Sequence, residues 1–314
     1  MTDGVLAVSV ANLEFRNPIV LAAGTAGYGV ELEGVVDLDA LGGFVTKAVS
    51  AEPRLGAAAP RVAEFEGGMI NAVGLANPGL AEVARTHVPW LANHHRGTRR
   101  FANVVGFTED EFATVIRGLE DSVAKNPGAL DGYELNVSCP NVRQGGAEFG
   151  SDPASLRAVV GLARAETKRP LFVKLAPTLP DIAAAAKAAV DAGADGITVV
   201  NTVPGLVVDL ERRRPVLGFG SGGVSGAAIL PVGVLATWRV SRAVRVPVIG
   251  LGGVASGADA LQYIVAGANL VGVGTAALRD PRAPARIVKE MRAWCERHSV
   301  RSLGSLRGSL EWPT

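Results

Sequence analysis

The chain has 314 residues, 48% of them hydrophobic, with 31 basic against 30 acidic side chains and a formal charge of +1; its pI is near 7.8 and its mean hydropathy +0.26. That balance gives no long-range field to gather nucleic acid or an anionic membrane, so a small molecule is the default partner. No apolar run reaches the roughly 18 residues that cross a bilayer, and MTDGVLAVSV lacks the basic residues that precede a secretory core, so a complete cytoplasmic chain folded as one elaborated domain over 1–314 is expected.

The first run with strand character is 19–24 (IVLAAG), followed by 44–48 (FVTKA) and a Gly- and Pro-rich excursion over 50–79. Next come 101–106 (FANVVG), a helix over 110–125 behind the capping pattern Thr108-Glu-Asp-Glu111, and 132–138 (GYELNVS), which runs into a loop over 139–152. The run 171–176 (LFVKLA), a helix over 181–193 and the run 196–202 (GITVVNT) precede a second excursion over 203–225. The last units are 246–252 (VPVIGLG) with a helix over 257–267, and 270–276 (LVGVGTA) with an amphipathic helix over 283–298. The runs read as parallel strands buried and apolar on both faces. Eight of them alternating with helices predict a closed (β/α)8 TIM barrel, the alternative being a doubly wound sheet with two inserted hairpins. All three long loops follow strand C-termini, the rim where such barrels carry their sites, so they are expected to roof one pocket.

The ends of the runs form a polar set: Lys47, Asn103, Asn136, Lys174, Asn201 with Thr202, Gly252 with Gly253, and Gly274 with Thr275. A polar group buried at a strand end costs stability unless it finds a partner, so amides and ammonium groups repeated at one rim are expected to face a polar ligand. Only six of the 31 basic residues are lysines, and two of those six end apolar strands. A fixed cation can stabilise negative charge developing on a reduced ring, and Lys174 is the first candidate. The pairs at the ends of the last two runs, Gly252-Gly253 and Gly274-Thr275, let backbone N–H groups approach a phosphate, a task barrels commonly give to those loops, and Gly226 would add a donor; for one pair alone the alternative is a tight turn.

Cys139 follows a strand directly and lies between Asn136 and Asn141. A thiol of ordinary pKa, about 8.5, is a workable proton acceptor near neutral pH, whereas a lone thiol without such a setting is usually inert core, the reading given to Cys295. Two cysteines can build neither a disulfide framework nor a zinc or iron–sulfur site, so no metal is expected on this chain. The histidines at 87, 94, 95 and 298 are expected at the surface, and Arg212-Arg-Arg214, without interleaved aromatics, as a solvated or partner-contacting loop.

These residues fall within longer motifs: Asn17-Pro18, Ala22-Ala-Gly24, Lys47-Ala48, Glu52-Pro-Arg54, Asn71-Ala-Val-Gly-Leu-Ala-Asn-Pro-Gly79, Glu134-Leu-Asn-Val-Ser-Cys-Pro-Asn141, Val173-Lys-Leu175, Gly222-Gly-Val-Ser-Gly226 and the terminal glycine pairs. Through them the chain resembles the dihydroorotate dehydrogenases over essentially its whole length. The resemblance implies oxidation of dihydroorotate to orotate in pyrimidine biosynthesis, with Cys139 taking a proton from carbon 5 while a hydride passes from carbon 6 to FMN. It implies substrate contacts from Lys47, Asn71, Ala72, Val73, Gly74, Leu75, Asn136, Asn141, Asn201 and Thr202. It implies FMN contacts from Ala23, Gly24, Lys47, Ala48, Asn103, Asn136, Lys174, Val200, Gly226, Gly252, Gly253, Gly274 and Thr275.

Cysteine rather than serine as the base, and the loop from Asn141 to Gly150, resemble the NAD-linked branch. In that branch a homodimer of the catalytic chain works with a subunit carrying FAD and an iron–sulfur cluster. The family commonly has Ser at Ala23, an aromatic at Ala26, Pro at Ala227 and Lys at Leu230, departures that touch the flavin surroundings and the partner-facing surface. A dehydrogenase of uracil-type rings shares the Cys base and FMN; its substrate lacks the carboxylate, and Lys47 with Asn71 to Asn77 favours dihydroorotate. A flavin-free phosphate-binding barrel and a non-catalytic homologue are the remaining alternatives.

Overall fold

The computed structural model describes residues 4–138 and 149–313. Eight strands, β1 (Ile19–Leu21), β2 (Gly43–Val49), β3 (Arg99–Val104), β4 (Gly132–Asn136), β5 (Leu171–Leu175), β6 (Gly196–Val199), β7 (Val248–Leu251) and β8 (Leu270–Val273), close into a barrel. Each pairs in parallel with its successor, and β8 pairs with β1 through Val271↔Ile19 to Val273↔Leu21. A doubly wound sheet would reverse its strand order and keep two edges; here the order runs round the ring without a break.

The inner face is layered. Val20, Val45, Phe101, Phe172, Ile249 and Leu270 fill the lower barrel and pack on Val10 and Phe15, with the Phe101 and Phe172 rings edge to face at 5.5 Å. Val10 and Phe15 come from a hairpin, Val8–Val10 paired with Leu13–Phe15, that plugs the barrel floor and that no sequence pattern announced. Its two turn residues, Ala11 and Asn12, have φ of 50° and 62°, a conformation alanine rarely adopts. Two residues further along the same inner faces, the lining turns polar: Asn103, Glu134, Lys174 and Thr198 are all 5% exposed or less. The expectation of strands apolar on both faces therefore holds only for the lower half of the barrel. Outside the ring, helices Glu109–Lys125, Pro153–Glu166, Ile182–Asp191, Leu230–Ala243, Gly257–Ala266 and Ala283–Arg297 bury the main apolar cluster, which includes Cys295.

Helix Gly257–Ala266 starts with a reciprocal Ser256/Asp259 capping box and ends at Gly267 in the left-handed region. At Glu109–Lys125 the expected cap is only half built: Thr108 makes no side-chain cap bond, and Glu111 accepts the Phe107 N–H at 2.6 Å instead.

The two excursions fold together although more than a hundred residues separate them. Val203–Gly205, Gly222–Ser225, Gly68–Asn71 and Val62–Phe65 form, in that order, one antiparallel sheet over the barrel mouth, with Asn71 opposite Gly223. A small hairpin, Val208–Asp209 with Arg214–Pro215, projects beyond it, leaving Leu206 and Leu210 at 58% and 81% exposure. Arg212, Arg213 and Arg214 are exposed on that hairpin, and Arg212 pairs with Asp209 at 3.0 Å. The histidines depart from expectation: His87 stacks on the buried Tyr28 at 4.2 Å and His94 on Trp90 at 4.3 Å, both half-buried. His95 is half-buried as well, and His298 alone is exposed. Among the described residues no helix is long and apolar enough to cross a membrane.

Candidate active site

The C-terminal ends of all eight strands open into one cavity of about 780 Å³, roofed by the four-stranded sheet. Every described residue expected to touch a ligand lines it except Ala72. Strand alternation turns Asn71 toward the cavity and the next residue away, so the fully buried Ala72 packs with Ile70 and Leu217 in the roof. Cys139 and Asn141 lie outside the described residues.

One wall is a network of amides. Asn201 Nδ2 donates to Ser138 Oγ at 2.9 Å and to Asn136 Oδ1 at 3.3 Å, and Asn201 Oδ1 accepts the Thr202 N–H at 2.8 Å. Ser138 Oγ also donates to Asn136 Oδ1, at 3.2 Å. With its oxygen engaged twice, Asn136 turns its NH2 to the cavity as a donor. Asn103 is oriented oppositely. Its Nδ2 donates to Glu134 Oε1 at 2.9 Å, and because a carboxylate accepts and an amide NH2 donates, Asn103 presents Oδ1 to the cavity as an acceptor. The site thus offers both polarities, as a heterocycle edged with N–H and C=O groups requires.

Two cations stand among these amides. Lys174, neighbour of Asn136 in register, is 5% exposed, and among the described residues no carboxylate lies within ion-pair distance of it. A buried ammonium group without a counter-charge calls for a ligand that carries or develops negative charge. Lys47 is aimed by an irregularity in β2, where the register with β3 shifts between Val45 and Ala48. That kink is held by Lys47 N–H on Gly27 O at 2.7 Å and by Tyr28 Oη on Ala48 O at 2.9 Å. At the opposite end Gly226, Gly252, Gly253, Gly274 and Thr275 form a wall of backbone, with Thr275 Oγ1 donating to Ser225 Oγ at 2.8 Å. Among the described residues no group of three or more His, Cys, Asp or Glu side chains could hold a metal ion.

A family model described as dihydroorotate dehydrogenase matches residues 5–294. The chain belongs to the dihydroorotate dehydrogenase family. It is 45% identical over 306 residues to a Pelobacter propionicus protein named dihydroorotate dehydrogenase B (NAD(+)), catalytic subunit, covering 98% of each chain. A Trichlorobacter lovleyi protein of the same name is also 45% identical over 306 residues, again 98% of each. A Solibacter usitatus protein, provisionally named dihydroorotate dehydrogenase A (fumarate), is 46% identical over 307 residues, 98% of this chain and 99% of that one.

Several supports of this site were not singled out from the sequence. Glu134 and Ser138 set the amide orientations from within strand β4 and its extension. The cavity mouth adds exposed charges, Glu64 and Glu66 on the roof hairpin and Arg279 and Arg286 beyond β8. Asn77 holds the segment 71–79 to the end of β2: its Oδ1 accepts from Ser50 N–H, Ser50 Oγ and Gly79 N–H, and its Nδ2 donates to Leu75 O. Asn77→Ala would strip acceptors from buried donors. It is expected to lower stability in urea by on the order of 3 kcal/mol, and a midpoint equal to wild type would show the segment to be held by other contacts.

Proposed function

We propose that this chain oxidises dihydroorotate to orotate, with FMN bound along the barrel rim and electrons passed on toward NAD through a partner subunit. The observation that carries the reading is the pairing, in one cavity, of an oriented amide wall with a glycine wall, and between them the buried Lys174, which has no counter-charge among the described residues. This donor set fits a flavin phosphate: Lys174 would counter charge developing on a reduced ring, Asn103 Oδ1 and Asn136 Nδ2 would offer it an acceptor and a donor, and the glycines would hold the phosphate.

When bound, FMN supplies the acceptor for the hydride leaving carbon 6. Everything else falls to the chain. Asn71, Asn136, Asn201 and Thr202 hold the planar ring, with Val73, Gly74 and Leu75 against it and Lys47 countering its carboxylate. The amide network keeps these groups in fixed orientations, so few rotamers need freezing when substrate arrives. Cys139, with Asn141 beside it, accepts the carbon 5 proton; loss of that proton and of the carbon 6 hydride leaves the C5–C6 double bond of orotate. We assign the chain to the cytoplasm, as a homodimer joined by a subunit that carries FAD and an iron–sulfur cluster. The exposed Leu206 and Leu210 beside Arg213 support a protein-contacting surface.

The test is anaerobic mixing of the FMN-loaded protein with substrate. Dihydroorotate is expected to bleach the flavin absorbance and dihydrouracil to leave it unchanged. The reverse pattern would move the assignment to uracil-type rings, and no bleaching by either would overturn it.

A further inference from the structure

We infer that Tyr263 is a positioning residue for the phosphate end of the cavity: its hydroxyl holds the Gly252 carbonyl, so that the Gly253 N–H is presented to the phosphate. The inference deepens the reading above and rests on it, in that the cofactor must be a flavin phosphate lying against Gly252 and Gly253.

Tyr263 sits on helix Gly257–Ala266, 0% exposed, and its Oη donates to Gly252 O at 2.7 Å. The surrounding backbone is cut to admit the ring. A Cβ at Gly233 would lie 1.9 Å from Tyr263 Oη, and one at Gly250 would lie 2.4 Å from Tyr263 Cδ1. Packing alone would be served by phenylalanine; the hydroxyl adds one thing, a donor aimed at the last carbonyl of the β7 end.

The consequence lies on the other side of that peptide plane. The bond between Gly252 and Gly253 is trans, so its C=O and N–H point in opposite directions. With the carbonyl drawn to a buried hydroxyl beneath the rim, the Gly253 N–H points to the cavity that both glycines line. Among the described residues that N–H meets no protein acceptor. Two adjacent glycines would otherwise leave the peptide free to rotate, since Gly253, at φ +72°, is in a region that restrains no glycine. A side chain at Gly253 cannot supply the restraint, because a Cβ there would meet Leu230 N at 2.6 Å. Burial pushes the Tyr263 hydroxyl well above its ordinary pKa, and the nearby Asp259 charge adds to this, so it stays a donor across the working pH range.

The full-length apoprotein titrated with FMN and with riboflavin, which differ only in the phosphate, separates the two readings. The unaltered chain is expected to prefer FMN strongly; equal affinities would overturn the phosphate placement whatever Tyr263 does. Tyr263→Phe is expected to weaken FMN roughly five- to tenfold and to leave riboflavin unchanged, so that the preference itself shrinks. Equal weakening of both ligands would mark a packing role only, and an unchanged ratio would likewise overturn the inference. Should Tyr263→Phe fail to fold, the Gly253 amide resonance of the isotopically labelled unaltered chain decides. FMN is expected to shift it downfield and riboflavin is not, and the same shift with both ligands would overturn the inference.

Discussion

Cys139→Ser is expected to leave the protein yellow and able to bind orotate while slowing anaerobic flavin reduction by dihydroorotate about 10²- to 10⁴-fold. The expectation is large because a serine hydroxyl keeps the size and polarity of the thiol but ionises far above working pH, so proton abstraction from carbon 5 loses its acceptor. Binding is spared because most of the groups proposed to hold the ring lie outside the loop of Cys139 and Asn141: Asn136 ends β4, Asn201 and Thr202 follow β6, and Asn71 ends a roof strand. The residue that carries Cys139 is itself fixed, since Ser138 is 1% exposed and bonded to both Asn136 and Asn201. Stopped-flow traces give the check. With the thiol present, reduction should speed up as pH rises and the base ionises, and that rise should vanish in the variant. A wild-type rate in the variant would remove Cys139 from the chemistry, and loss of the yellow colour would move it to cofactor binding.

The barrel was legible because each buried parallel strand is a short aliphatic run, and eight such runs separated by helices admit few arrangements. The rim residues were legible for a related reason: an amide or lysine ending an aliphatic run stands out against its neighbours. What stayed hidden depends on contacts distant in sequence. The roof sheet joins residues 62–71 to 203–225, and neither segment alternates strongly enough to announce a strand. Glu134 was passed over because it lies inside its run rather than at the end, although its Oε1 fixes Asn103 across the strand pair. Ala72 shows the opposite error. A motif carried over as an unbroken run includes residues that alternation turns away from the ligand. Tyr263 reads as an ordinary core aromatic on a helix, and only the distance from its hydroxyl to Gly252 gives it a task.

Alone, the chain is expected to pass electrons from dihydroorotate to an artificial dye and to reduce NAD hardly at all, with NAD reduction rising by orders of magnitude once an FAD and iron–sulfur subunit is added. The ligand count drives this expectation. Cysteine-ligated clusters take four thiolates, and this chain has two cysteines, of which Cys295 is fully buried among helices of the outer layer. Any iron–sulfur relay therefore has to come from another chain. The experiment discriminates, because relatives named for NAD and a relative named for fumarate match this chain almost equally, at 45% and 46% identity. Supplying fumarate, then NAD, to the dihydroorotate-reduced protein separates the branches. Rapid reoxidation by fumarate would place the chain with the Solibacter relative, and rapid reoxidation by NAD without a second subunit would remove the need for a partner. Slow reoxidation by both, relieved for NAD by the added subunit, is the outcome expected from a chain whose cysteines cannot hold a cluster and whose cavity opens to solvent between acidic and basic lips.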